Sequence, residues 1–92
     1  MNMFIINLSY IKELSHVDQY LEAHKSFLDT YYKSGVFINW GRKNPRTGGI
    51  IIANGVSKAE LEKIVNQDPF IENNIAVYEI IEFIPTKTFD IT

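Results

Sequence analysis

The sequence predicts an α+β domain, a four-stranded antiparallel sheet with two helices packed on one face. Three observations predict it. Four short runs are rich in apolar and β-branched residues, as strands are. Two longer stretches space apolar residues three and four apart, as amphipathic helices do. The order along the chain is strand, helix, strand, strand, helix, strand. Two strand–helix–strand crossovers around a central hairpin make the ferredoxin-like βαββαβ arrangement.

Each element has its own warrant. Residues 3–10, MFIINLSY, are apolar, β-branched and too short for a core helix. Residues 11–14 link them to a long helix over 15–35, whose apolar stripe is Val17, Tyr20, Leu21, Phe27, Leu28 and Tyr31. Ser15 with Asp18 three residues on has the form of a capping box, and Gly35 is suited to a left-handed stop. Glu22 with Lys25, Lys25 with Asp29, and Asp29 with Lys33 can pair on the wet side. Strand residues 36–40, VFINW, follow, then a basic, Pro- and Gly-marked connection over 41–49 and a third strand at 50–54, IIIAN. Gly55 turns the chain, and Ser57 with Glu60 caps a second helix over 58–67 that buries Leu61, Ile64 and Val65. Asp68-Pro69-Phe70 stops that helix, because proline disfavours helical geometry in the residue before it. The last strand covers 74–84, and Pro85 opens a polar tail.

Composition bounds the function. Ninety-two residues make one domain, 1–92, with a core that is thin for a lone chain. Nine basic against eleven acidic residues argue against wrapping a nucleic-acid duplex or lying on a membrane. Cysteine is absent, which removes a disulfide framework, a thiolate nucleophile and cysteine-ligated metal. With no signal-peptide pattern and no membrane-length apolar run, a soluble cytoplasmic protein is expected. The sheet is apolar on both faces: Phe4-Ile5-Ile6 and Ile50-Ile51-Ile52 do not alternate, and Val77, Ile81 and Phe83 oppose Ala76, Tyr78 and Ile80. Two helices cover one face only. The other is expected to pack against a second copy, giving a homodimer, with higher assembly left open.

One polar residue interrupts the long helix's stripe. His24 lies seven positions after Val17 and four before Leu28. In this topology the two helices are antiparallel, so the end of the second lies near the first half of the long one, and Asp68 near His24. A carboxylate there would fix the imidazole's tautomer and raise its basicity, as a general base requires. The alternative is that Asp68 only caps a turn and His24 only fills the core. Arg42, Lys43 and Arg46 could steer an anion to the site, or could be a solvated loop.

The helix LEAHKSFLDTYYKSGVF, the loop NPRTGGIII, the turn QDPF and the strand IAVYEIIEF together resemble the YciI-like (YCII-related) family, in order and over nearly the whole chain. The resemblance implies a ferredoxin-like fold dimerising as an α+β barrel. It also implies an active site with a His on the first helix and an Asp in the DPF turn, which are His24 and Asp68 here. Where activity is assigned in the family, it is dehydrochlorinase-like: proton transfer with loss of a leaving group from a small cyclic compound. The chain departs from the family after the second strand, where a small residue, Gly and Pro are usual and Trp40, Gly41 and Arg42 stand. Trp40 there either narrows or walls a pocket or is only an aromatic strand end.

The sequence thus leads to catalytic candidates His24 and Asp68, and substrate-binding candidates Trp40, Arg42 and Arg46. No cofactor and no metal are implied, since His16 and His24 lack companions for a ligand set. RNA recognition is disfavoured, because the central strand IIIAN offers no aromatic for base stacking. Elimination or isomerisation of a small polar or cyclic compound is the leading reading. A non-catalytic ligand-binding or regulatory dimer is its rival.

Overall fold

The computed structural model describes residues 2–88; the far end of the polar tail, 89–92, lies outside the described residues. The strands are β1 (Met3–Tyr10), β2 (Phe37–Arg42), β3 (Gly48–Asn54) and β4 (Ala76–Phe83). They form one sheet in the order β2-β3-β1-β4, antiparallel throughout. This is the ferredoxin-like arrangement, with β1 at the centre: Ile6 faces Ile51 on one side and Ile80 on the other. Alternation along β1 sends Phe4, Ile6 and Leu8 into the core. There they join Leu28, Phe37, Ile51, Ala53, Leu61, Val65 and Phe70.

The long helix is two helices. Helix α1 (Leu14–Gln19) and helix α2 (Leu21–Lys33) are separated by Tyr20 at φ −108°, ψ 5°. The Tyr20 N–H turns to the Val17 carbonyl, three residues back, and α-helical bonding resumes when the His24 N–H reaches the Tyr20 carbonyl at 2.9 Å. The apolar spacing carries through this break, which hides it from a periodicity argument. The expected Ser15 cap is not made, because α1 starts at Leu14, which puts the cap position two residues earlier, at Glu13, with no side-chain bond. Of the expected surface pairs, Lys33–Asp29 at 3.0 Å and Lys25–Glu22 at 3.9 Å form. Gly35 ends the segment at φ +85°, the left-handed geometry that favours glycine.

Helix α3 (Lys58–Val65) begins as expected, with the Ser57 hydroxyl accepting from the Glu60 N–H at 3.1 Å. The residues after it do more than stop a helix. Asp68 becomes the cap of a further short helix, α4 (Pro69–Glu72), with proline in the first turn, where its missing N–H costs nothing. The β2–β3 connection is also tighter than 41–49, since the ladder runs on to an Arg42–Gly49 pair. Gly48 meets a steric demand, as a Cβ there would lie 1.8 Å from the Leu8 carbonyl oxygen.

All the helices lie on one side of the sheet. On the other, Val77 is 52% and Ile81 44% exposed, and half-buried Ile5 and Ile52 share the ladder row of Ile81. No helix of the described chain is long and apolar enough to cross a membrane.

Candidate active site

His24 stands in the second turn of α2, on the face turned to the core, and is 9% exposed. Its Nδ1 lies 2.8 Å from Asp68 Oδ1. Asp68 is fully buried, and the same oxygen accepts the Phe70 N–H at 2.9 Å. The carboxylate therefore caps α4 and holds the imidazole with one atom; its Oδ2 is buried without a partner among the described residues. A carboxylate oxygen engaged in this way is an acceptor, so Nδ1 carries the proton it shares. In the neutral ring Nε2 is then the atom with the free lone pair. It has no hydrogen-bond partner among the described residues.

Phe70 fixes the ring from a second direction. Its phenyl is stacked on the imidazole, with centroids 3.9 Å apart and planes 9° from parallel. Tyr10 meets Phe70 edge-on at 5.8 Å. The DPF turn thus supplies a hydrogen-bond acceptor and a stacking plane from residues two apart. Rotation of the imidazole would give up both.

His24 and Phe70 border a cavity of about 370 Å³ between α1, α2 and the β2–β3 end of the sheet. Trp40, Arg42 and Arg46 also line it, whereas Asp68 lies behind His24, out of contact with the cavity. The five residues singled out in the sequence are therefore one constellation. Trp40 sits within β2, opposite Ile51, and its indole is braced edge-to-face by Tyr32 at 5.3 Å. Arg46 is engaged: it pairs with Asp18, which holds its guanidinium above the usual arginine range. Lys43 reaches away from the cavity, to the Ser9 hydroxyl at 3.3 Å.

Asp18, Lys25, Tyr10 and Phe70 line the cavity without having been singled out for it. Part of the signal was available: Asp18, Leu21, Lys25 and Leu28 are spaced three, four and three apart, one helical face that the cavity shares. The stacking role of Phe70 had no sequence signal, since it depends on how α4 turns after Pro69. Among the described residues no three His, Asp or Glu side chains gather as a metal site.

A βαββαβ fold with a buried His–Asp contact beside a cavity defines the class: a small α+β domain with a cavity between helices and sheet. The YCII-related domain model matches residues 3–84, and the chain belongs to that family. A similar solved structure is the 5-chloro-2-hydroxyhydroquinone dehydrochlorinase of Burkholderia phenoliruptrix AC1100, in complex with 2,5-dihydroxybenzoquinone. The TM-score is 0.72 at 18% identity, covering 88% of this chain and 91% of that one, a likeness of fold. No curated protein matches the sequence.

Proposed function

We propose that this protein is a small-molecule enzyme in which His24 moves a proton to or from a compound bound in the cavity, driving an elimination or isomerisation. The observation that carries the reading is the His24 Nδ1–Asp68 Oδ1 contact at 2.8 Å in a ring that borders the cavity. As a base, Nε2 takes a proton from a carbon or hydroxyl of the substrate, and the imidazolium formed is stabilised by the buried carboxylate behind it. In an elimination the electron pair left on the substrate expels the leaving group. In an isomerisation the same proton returns at another atom. Asp68 is a positioning residue, and Trp40, Arg42 and Arg46 shape the cavity in which the substrate lies. The solved relative's name, a dehydrochlorinase, supports elimination as the first reaction to try.

The working unit is proposed to be a homodimer joined through the uncovered sheet face. Ile5, Ile52, Val77 and Ile81 lie on that face, and Asn7 Oδ1 among them is buried without a partner among the described residues. A second sheet would bury the apolar chains and could supply a donor to Asn7.

The test is chloride release from 5-chloro-2-hydroxyhydroquinone by wild type, His24→Gln and Asp68→Asn. General acid–base catalysis contributes about 10²–10⁴-fold, so His24→Gln should lose most of the rate with the fold intact. A His24→Gln rate equal to that of wild type would contradict the acid–base role of His24, and no chloride release by wild type would favour a ligand-binding protein without turnover.

A further inference from the structure

The cavity walls carry an uneven set of charges. Lys25, Arg42 and Arg46 are cationic and Asp18 is anionic. Arg46 is matched by Asp18. Lys25 reaches toward Glu22 at 3.9 Å, with both side chains well exposed, a pair that water screens. Arg42 has no hydrogen-bond or ion-pair partner among the described residues, although it lies on the strand face that carries Trp40. One guanidinium is therefore uncommitted at the cavity, two residues along the strand from an indole wall.

The cavity size adds a bound. An apolar cavity of about 150 Å³ takes one benzene ring, so about 370 Å³ accommodates one substituted ring with room for its polar groups. A guanidinium offers paired donors in a fixed plane, which fit a carboxylate better than a neutral amide.

We infer that the cavity selects a small planar ring bearing a single carboxylate-like anionic group. Arg42 receives the anion and Trp40 lies along the ring. This rests on the cavity being the site of the proposed function, and it adds the substrate class. Arg46 takes no part in anion binding, because its charge is spent on Asp18 and on holding the 43–47 connection against α1. Catalysis and selection are thereby divided: His24 acts on the substrate, and Arg42 decides which substrates stay.

Trp40 is the sole tryptophan, so its fluorescence reports binding directly. Benzoate, benzamide and cyclohexanecarboxylate are titrated into wild type, Arg42→Gln, Arg42→Lys, Arg46→Gln and His24→Gln, each checked for fold by circular dichroism. In wild type, benzoate should bind at least about tenfold tighter than benzamide, because its bond to the guanidinium is charge-assisted. Cyclohexanecarboxylate, which cannot stack, should be several-fold weaker than benzoate. Arg42→Gln should bring benzoate down to the level of benzamide, and Arg42→Lys should restore part of the difference. Arg46→Gln and His24→Gln should keep the preference for benzoate. Equal binding of benzoate and benzamide by wild type, a preference that survives Arg42→Gln, or no saturable benzoate binding at millimolar concentration would overturn the inference. A preference lost with Arg46→Gln in place of Arg42→Gln would overturn it too. The two claims fail separately: loss of charge preference with His24-dependent turnover removes only the substrate class. Charge preference with His24-independent turnover removes only the acid–base reading.

Discussion

At the residue scale the site rests on Asp68. One buried oxygen serves both His24 and the Phe70 N–H, so its loss is felt twice. Asp68→Ala should destabilise the protein by about 1–3 kcal/mol for each donor left unmatched, measured by urea denaturation. Asp68→Asn keeps an acceptor for the Phe70 N–H and should cost less stability while still impairing turnover. Phe70 separates packing from positioning. Phe70→Ala should cost about 3–5 kcal/mol as a large buried ring is deleted. Phe70→Leu keeps most of the volume and should cost less than about 1.5 kcal/mol. It nevertheless removes the plane stacked on His24, so reduced turnover with near-normal stability is expected. His24 and Asp68 were legible in the sequence because a histidine in an apolar stripe and an acidic residue before proline both break a pattern. Phe70 was not, because an aromatic beside a proline breaks none.

Elements were legible where hydrophobic pattern and turn chemistry agree. The bounds of β1, the Ser57 cap and the Gly35 stop follow from residues whose preferences point one way. The break at Tyr20 does not, since both half-helices share one stripe and the interruption lies in a single residue's backbone angles. The tighter β2–β3 connection was hidden for a related reason. Gly41, Gly48 and Gly49 read as loop residues, yet they pair within the ladder, and at Gly48 the absence of a side chain is what lets β3 approach β1. Gly48→Ala should therefore displace backbone against backbone, because the atom met is the Leu8 carbonyl. A lowered thermal midpoint is expected, with the amide signals of Leu8 and Ser9 shifted most. Gly41→Ala, which meets nothing within 4 Å, is the control and should leave both measurements nearly unchanged.

At the scale of the whole molecule, the apolar open face is the feature one copy of the chain leaves unexplained. The sequence showed that both faces are apolar, but which isoleucine points which way depends on strand register, and a shift of one residue would reverse it. The register places Ile51 in the core at 2% exposure and turns its neighbour Ile52 to the open face, opposite Ile5. Ile52→Asp should thus dissociate the proposed dimer, and its stability should become independent of protein concentration. Ile51→Asp should unfold the protein at any concentration, because it buries an unpaired charge. Sedimentation distinguishes these outcomes, and a stable wild-type monomer at micromolar concentration would remove the dimer.

The central claim is that Asp68 holds His24 with Nε2 ready to exchange a proton at the cavity. Long-range ¹H–¹⁵N correlation spectra of the two imidazoles test it without any substrate, with exposed His16 as the internal reference. Above the ring's titration, His24 should be found in the Nδ1-protonated tautomer, and Asp68→Asn should shift it toward Nε2 protonation while His16 stays as it was. A His24 ring protonated on Nε2 in the wild type, or unchanged by Asp68→Asn, would contradict the account.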